Sequence, residues 1–400
     1  MTNTHPQQLS RRKGMHIDVD ACLARRPAAV ACDACVEVCP TQALNWADDS
    51  VTVESTCMAC GRCMAACPSG AITLSGFEAL AATPGTTHGE LYIECARVPL
   101  KLRRAGAVTV PCLGGVTSLD MLNIAARSRA AVLLDRGWCI ACPAGRDQTS
   151  TLQDIVGDAC NDLRTALDGA ADRGLLPRID QVPLPATVAQ PPTSATVLGG
   201  TALDRRGFFA TFRAGASTVV AAASRPRHTR TRAACRPSPV ARQHLAARAD
   251  ALATVAKRRS RPLAAAAFPA VTAHRNCCHE GMCAAGCPSG ALRLVDDEAS
   301  GQVGLDIDAA LCLACGLCAA LCPHGALSVA AAGPATEPWQ PGPLALTRHR
   351  LRTCTQCADG FIPRDDAELC PRCAMAREQG RNLFGALLTG SARRNTSPTS

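Results

Sequence analysis

A repeated cysteine segment is the feature that most restricts what this chain can fold into. Each copy consists of Cys-Pro, two further residues, and Ala followed by Leu or Ile. The copies begin at Cys39, Cys67, Cys287 and Cys322. More cysteines precede each copy, and an apolar residue that can begin a strand follows it. The copies form two pairs, near residues 16–75 and 268–330, which predicts a duplicated two-repeat unit.

The composition indicates what the cysteines do. Among 400 residues there are 26 cysteines but only 1 Tyr, 3 Trp and 7 Phe, so the chain lacks the large side chains that usually dominate a core. The opening MTNTHPQQLSRRKG leads into no apolar run, and no apolar stretch reaches the roughly 18 residues that a membrane helix needs. We therefore expect a cytoplasmic protein without a membrane span. Thiols in that compartment bind metal more often than they form disulfides.

The second repeat has the spacing of a cluster-binding loop. Cys57, Cys60 and Cys63 lie three residues apart, and Cys67-Pro68 follows after three more residues. Three thiolates on one tight loop can face three corners of one cubane cluster only at such short spacing. The fourth cysteine, followed by Pro68, begins the next element.

The first repeat is interrupted near its start. It supplies Cys32, Cys35 and Cys39, but Ala29 stands where its first cysteine is expected. Cys22 lies seven residues further back, at the end of a strand-like segment. We interpret the intervening residues as a loop insertion and Cys22 as the first ligand.

Residues 14–76 resemble the bacterial-type ferredoxin domain that holds two [4Fe–4S] clusters. The resemblance implies crossed ligation, in which each repeat lends its last cysteine to the other cluster. One ligand set is then Cys22, Cys32, Cys35 and Cys67. The other is Cys57, Cys60, Cys63 and Cys39. Zinc or merely buried thiols are the alternative, which two copies of this spacing disfavour.

Residues 266–332 resemble a second such domain, with one departure. The repeat Cys312, Cys315, Cys318 and Cys322 is complete, whereas its partner has Cys277, Cys283 and Cys287 but Glu280 at the second-ligand position. Crossed ligation would place Cys287 with the complete set and Cys322 with the incomplete one. Either the incomplete site holds a [3Fe–4S] cluster, or Cys278 or His279 substitutes for the missing ligand and a cube survives.

Residues 89–172 read as a small α/β unit. Cys95 and Cys112 end strand-like runs, and Cys139 and Cys142 follow a third. The carboxyl ends of strands converge on one edge of an open α/β sheet, so we expect these four thiols to meet there. The glycines after Cys112 would let the backbone pass close to a cluster.

This middle unit is similar to the small iron–sulfur subunits that link hydrogenases to heterodisulfide reductases. The similarity implies a [2Fe–2S] centre on its four cysteines. Separate buried cysteines are the alternative. Cys160 and Cys235 are expected to be bystanders, and Thr151 is predicted to cap a helix.

Residues 351–385 carry two CxxC pairs, at Cys354 and Cys357 and at Cys370 and Cys373. They resemble a zinc ribbon with a closed four-cysteine site. A rubredoxin-like iron is the rival, because a tetrahedron of four thiolates suits both metals.

The remaining segments read as connections. Residues 176–200 are Pro-rich and predict a linker, residues 201–265 are an Ala/Arg-rich helical or linker segment, and residues 386–400 predict a disordered tail. Residues 203–224 look like a twin-arginine export signal, but we interpret them as an Arg-capped helix. Residues 225–262 hold eleven Lys and Arg against Asp250. Without interleaved aromatic residues, a basic linker or a dock for an acidic partner is favoured over nucleic-acid binding.

The sequence thus predicts an α+β multidomain chain in which two ferredoxin-like 2[4Fe–4S] domains flank a small α/β unit, with a zinc ribbon. We expect three to four cubane clusters, one of them alternatively [3Fe–4S], a further centre in the middle unit, and zinc. The predicted function is relay of electrons between redox partner proteins, without catalysis of its own. The alternative is an accessory subunit of a formate dehydrogenase, hydrogenase or heterodisulfide-reductase-like complex.

Overall fold

The computed structural model describes most of the chain. The described residues are 14–26, 32–47, 50–84, 89–145, 148–169, 171, 173–188, 236–297, 301–335, 337–363 and 366–379. The export-like segment 203–224, Cys235 and the tail 386–400 lie outside them. Within the described residues, no helix is long and apolar enough to cross a membrane.

The first cysteine unit is closed by pairing between its two ends. Strand β1 (Met15–Ile17) runs antiparallel to β4 (Ile72–Leu74), and β2 (Leu44–Ala47) pairs with β3 (Ser50–Val53). Two one-turn helices, α1 (Ala34–Glu37) and α2 (Arg62–Ala65), carry the ends of the cysteine loops. Helix α3 (Glu78–Ala82) then leads into the middle unit.

The middle unit is a parallel four-stranded sheet in the order β6-β5-β7-β8. Its strands are β5 (Leu91–Cys95), β6 (Val108–Val110), β7 (Ala131–Asp135) and β8 (Arg178–Gln181). Helix α4 (Ser118–Arg127) begins with a capping box between Thr117 and Asp120, and α5 (Gln148–Ala166) follows β7. The prediction of an α/β unit with converging strand ends agrees with this sheet.

Two expectations for this region are wrong. Residues 178–181 do not form a linker, because they pair with β7 as the edge strand β8, whose flanking Pro177 and Pro183 stand where a sheet tolerates proline. Thr151 does not cap α5, because the helix begins at Gln148 and Thr151 lies inside it.

The Ala/Arg-rich segment contains a packed helix, α6 (Pro239–Arg258). Ser238 caps it, with its hydroxyl accepting from the Ala241 amide at 3.3 Å, and Pro239 occupies its first turn. One face of the helix is buried. The buried residues on it are Ala241, Leu245, Ala249, Ala251, Leu252, Val255 and Ala256. This stretch is therefore not a solvated linker.

Two basic side chains of α6 serve internal contacts. Arg248 forms an ion pair with Asp162 of α5 at 2.7 Å. Arg258 donates to the carbonyl oxygens of Ala125 and Ala126, near the end of α4, where a cation complements free helix carbonyls. Part of the basic charge thus stabilises the fold, and this weakens its interpretation as a dock for an acidic partner.

The second cysteine unit repeats the strand order of the first. Strand β9 (Ala270–Ala273) pairs with β12 (Leu327–Ala330), and β10 (Leu292–Asp297) pairs with β11 (Gln302–Ile307). The one-turn helices are α7 (Met282–Gly286) and α8 (Leu317–Ala320). The sequence predicts that this unit ends at residue 332. In the structure, β13 (Leu344–Arg350) pairs with β11 and extends its sheet.

The C-terminal unit is small. Strands β14 (Arg352–Thr353) and β15 (Gly360–Phe361) are antiparallel, and a helix covers residues 371–379. Its buried cluster consists of Cys354, Phe361 and Cys370. Short 3₁₀ turns elsewhere span Leu23–Arg25, Leu100–Leu102, Leu113–Gly115, Cys139–Ala141, Pro143–Gly145, Ala265–Ala267 and Ala309–Leu311.

Candidate metal centres

The candidate ligands fall into six groups, each of four residues. Site I is Cys22, Cys32, Cys35 and Cys67. Site II is Cys39, Cys57, Cys60 and Cys63. Site III is Cys287, Cys312, Cys315 and Cys318. Site IV is Cys277, Glu280, Cys283 and Cys322. The middle site is Cys95, Cys112, Cys139 and Cys142, and the ribbon site is Cys354, Cys357, Cys370 and Cys373.

Left-handed residues turn the complete cysteine loops. In the loop of site II, Ala59 has φ 52° and Gly61 has φ 81°, and in that of site III, Ala314 has φ 52° and Gly316 has φ 71°. A non-glycine residue with positive φ is uncommon, so its recurrence at one position marks a shared loop geometry. The turn brings the three cysteines of each loop to one side.

Site II brings together cysteines of both repeats. Cys39 of the first repeat and Cys57, Cys60 and Cys63 of the second line a single cavity. Burial, and then neighbouring thiols, raise the pKa of Cys60 to about 12 and raise that of Cys63 as well. Thiolates in such a place need a bound cation, which iron supplies, so the donor set fits an iron–sulfur cluster.

Site I is brought together in spite of the insertion before Cys32. Burial raises the pKa of Cys35 to about 11, and the next contributions come from Cys22, Cys67 and Cys32 in that order. Those are the three partners that crossed ligation assigns to Cys35. The side chain of Cys22 thus lies near the rest of its predicted set.

The last cysteine of three repeats receives a backbone hydrogen bond. The amide of Ala43 donates to Cys39 Sγ at 3.2 Å, that of Ala71 to Cys67 Sγ at 3.2 Å, and that of Ala326 to Cys322 Sγ at 3.3 Å. Hydrogen bonds to cluster sulfurs are levers on a reduction potential. Sequence reasoning missed these donors, although the constant Ala four residues after each cysteine was the available signal.

Site III is the counterpart of site II in the second unit. Cys287, Cys312, Cys315 and Cys318 line one cavity. Burial, followed by the charges of neighbouring thiols, raises the pKa of Cys318 to about 12. The donor set again fits a cubane cluster held by four thiolates.

Site IV has the same loop with a different donor. His279 has φ 58° and Gly281 has φ 77°, which matches Ala314 and Gly316 of the complete loop. Glu280 therefore stands where Cys315 stands in site III. A single cavity is lined by Cys277, Cys283, Cys322 and Glu280, and Cys278 and His279 line it too.

The side chains around Glu280 are already engaged. Glu280 Oε1 lies 3.0 Å from His324 Nε2, and the Glu280 side chain is 49% exposed. The Cys278 thiol donates to the carbonyl oxygen of Asn276 at 3.4 Å. Cys278 occupies the position of Leu313 in the complete loop. Both residues precede the left-handed residue, whereas Glu280 and Cys315 follow it.

The middle site forms at the carboxyl edge of the parallel sheet. Cys95, Cys112, Cys139 and Cys142 line one cavity, as the strand order predicted. Burial is the main cause that raises the pKa of Cys95 and that of Cys139. Four thiols facing one space fit a small iron–sulfur centre.

A buried arginine accompanies the middle site. Arg97 is 8% exposed, and its Nη1 donates to Cys142 Sγ at 2.8 Å. A guanidinium against sulfur stabilises negative charge there. The sequence analysis missed Arg97, whose position two residues after Cys95 was the only local signal.

The ribbon site is the most compact group. The four Sγ atoms lie within 4.8 Å of one another. Backbone amides, first that of Cys370 at 3.3 Å, lower the pKa of Cys354 to about 6, which favours its thiolate. Side-chain hydrogen bonds with Cys370 and Cys357 raise the pKa of Cys373 to about 12. Four sulfurs at this spacing can bind one tetrahedral ion.

Cys160 belongs to none of these groups. It is buried in α5, and its thiol donates to the carbonyl oxygen of Pro177 at 3.3 Å. That it has no role in metal binding stays a prediction. Cys235 lies outside the described residues.

These cysteine sites define the class of the chain as an iron–sulfur protein. Residues 29–77 match the family model of the LdpA Fe-S cluster-binding domain, and residues 275–326 match that of the 4Fe-4S dicluster domain. None of the curated proteins compared with the chain matches it. The prediction of iron–sulfur binding is confirmed in both regions, and these domains support an electron-transfer role.

Proposed function

We propose that the chain is a multi-cluster electron carrier built from two ferredoxin-like units, a cluster-binding α/β unit and a zinc ribbon. The observation that carries this proposal is the sorting of cysteines from different repeats into common cavities at sites II and III. Bound clusters would supply reversible one-electron chemistry. The chain's own residues would hold the thiolates, exclude water and donate N–H groups to sulfur.

Sites I, II and III would each hold a [4Fe–4S] cluster on four cysteines. Site IV would hold its cluster on Cys277, Cys283 and Cys322, with Glu280 at the position of the fourth ligand. The shared left-handed residues of its loop support that register. A site with three thiolates would lose its fourth iron under oxidation and become [3Fe–4S].

The middle site would hold a smaller centre, for which [2Fe–2S] is our proposal. Its four thiols come from three strand ends of one sheet rather than from one loop, and Arg97 supplies a buried positive charge. This unit also motivates the second candidate function, an accessory subunit that passes electrons to or from a dehydrogenase, hydrogenase or heterodisulfide-reductase-like partner.

The ribbon site would hold zinc in a structural role. Among the described residues of this unit, the only buried aromatic side chain is that of Phe361, which lies with two of the cysteines. Metal binding would therefore provide most of the folding free energy of this unit.

Metal and sulfide analysis of the anaerobically isolated chain tests the proposal. We expect iron and acid-labile sulfide sufficient for all the cysteine sites of the three larger units, together with zinc, and EPR signals of reduced clusters. The variant Cys160→Ala is the matched control, and its iron content should equal that of the wild type. Zinc without sulfide at these sites would contradict the proposal.

A further inference from the structure

We propose that the five redox sites form one continuous electron path in the order middle site, II, I, III, IV. The path would cross two junctions between units, one at Gly115 and one at the start of α6. This inference rests on the proposed function, because it orders the clusters which that function requires.

The first junction joins the middle site to site II through contacts between their loop backbones, beside the ring of Phe77. A Cβ added to Gly115 would lie 2.7 Å from the Cys60 carbonyl oxygen, and one added to Gly61 would lie 2.8 Å from Gly115 Cα. The backbones of the two cysteine loops therefore touch, and the glycine after Cys112 permits it.

The side chains at this junction form a common cluster. Cys60 of site II and Cys112 of the middle site are buried together with Met58 and Ala144, and Cys142 packs against them. The two sites are thus packing neighbours.

Within each cysteine unit, the short helices connect the two sites. Cys63 of site II and Cys67 of site I stand four residues apart on and just after α2, which is about one helical turn. Cys318 of site III and Cys322 of site IV have the same relation on α8. Each helix, together with the two residues that follow it, therefore offers one ligand to each site of its pair.

The second junction joins site I to site III through the first residues of α6. Ala241 is completely buried against Ala21 and Ala71, in a cluster on which Cys22 and Cys67 of site I also pack. On the other side, the Ser238 amide donates at 2.8 Å to the carbonyl oxygen of Pro288, the residue after Cys287 of site III. One turn of chain thus touches the surroundings of both sites.

Arg26 strengthens this junction. Its side chain is largely buried, and its Nη2 donates to the carbonyl oxygens of Asp20 at 2.6 Å and Arg236 at 3.3 Å. Arg26 of the first cysteine unit thus binds the backbone that precedes α6.

The order leaves the middle site and site IV as the two ends of the path. Site IV has an exposed rim, with Glu280 at 49% and Met282 at 45% exposure. At the other end, Trp138 lines the cavity of the middle site. External redox partners would then exchange electrons at opposite ends, one at each of these sites.

Magnetic coupling in the fully loaded, full-length chain tests the order. EPR spectra recorded during stepwise reduction should show spin–spin splitting between the middle site and site II, and between sites I and III. Absence of either interaction in a chain whose iron and sulfide contents are complete overturns the path. Incomplete loading of these sites would instead contradict the proposed function.

Matched variants locate the two junctions. Gly115→Ala should weaken the coupling between the middle site and site II, whereas Gly157→Ala, whose Cβ meets nothing within 4 Å, should leave it unchanged. Ala241→Leu should weaken the coupling between sites I and III, with the exposed Gln243→Leu on the same helix as control. If both junction variants load fully and show wild-type coupling, the path does not run through these contacts.

Discussion

The loops of sites III and IV share left-handed residues at the same two positions but carry different candidate ligands. Ala314 and Gly316 in one loop and His279 and Gly281 in the other occupy the same left-handed conformations, yet Cys315 of the first is replaced by Glu280 in the second. The cavity persists in both. The difference teaches that residue spacing and backbone conformation shape the loop, so that one donor can change without loss of the site.

The change also alters how the site meets its surroundings. Glu280 is half exposed and pairs with His324. The thiols of site III instead lie next to one another and are buried or partly buried. Ligand identity and solvent exposure both act on a reduction potential. We therefore expect two sites that differ in iron stability and potential although their loops coincide.

Removing a thiolate from the complete loop should have the largest effect. In Cys315→Ala, site III keeps three thiolates. Neither a thiolate nor a carboxylate then stands at the fourth position. We expect site III to lose at least its fourth iron under oxidation, as a site with three thiolates does, while the other sites stay loaded. Quantitative iron and sulfide analysis with EPR checks this.

The control for that variant is Cys160→Ala, which also removes a thiol but outside every candidate site. Its iron content should match that of the wild type. If Cys315→Ala retains all its iron and an unchanged spectrum, the assignment of Cys315 is wrong.

The ribbon site offers a comparison between a structural ion and a redox cluster. Cys373→Ala should release zinc and unfold residues 352–379, because this unit has little core of its own. Elemental analysis and amide hydrogen exchange measure both effects. Met375→Ala, at an exposed position of the same helix, should change neither. Iron in place of zinc at this site would favour the rubredoxin-like alternative.

Restoring the missing thiolate should convert site IV into a copy of site III. The oxidised wild-type chain should give a [3Fe–4S] EPR signal, and Glu280→Cys should replace it with a stable [4Fe–4S] cluster, a gain of one iron. The new sulfur would occupy the position of Cys315.

Cys278 is the rival ligand in the same loop. Cys278→Ala should leave the wild-type signal unchanged, because its thiol donates to the Asn276 carbonyl and precedes the left-handed residue. If this variant loses the cluster while Glu280→Cys changes nothing, Cys278 is the second ligand.

The smallest predicted effect concerns the middle site. Reduction adds negative charge beside Arg97, so Arg97→Met should lower the reduction potential, by roughly several tens of millivolts if the equilibrium shifts about tenfold. An EPR-monitored titration measures it. Arg104→Met is the control, because Arg104 is exposed and stacks on Tyr92 with 3.6 Å between guanidinium carbon and ring centroid. Equal shifts in both variants would rule out a specific effect of Arg97.

The cysteine sites were predictable because their information is local. Spacing within a loop fixes three ligands, and repetition identifies the fourth. The meeting of Cys95, Cys112, Cys139 and Cys142 followed from a general property of parallel sheets. The proximity of Cys22 to its set required only that the insertion form a loop.

Other features depend on contacts that no local pattern encodes. Strands β8 and β13 are short or polar, and each becomes a strand by pairing with a distant one. The apolar positions of α6, such as Leu245 and Leu252, have helical spacing but alternate along the sequence with arginines. The sequence therefore did not reveal that this helix packs against the rest of the protein. Arg97 is informative only once Cys142 lies beside it.

A redox titration of the anaerobically isolated wild-type chain, monitored by EPR, tests the central claim most directly. We expect several reversible one-electron transitions from protein-bound clusters, with a [3Fe–4S] signal in the oxidised state. A chain that contains zinc but no acid-labile sulfide, and that shows no reversible signal, would contradict the proposed electron-carrier function.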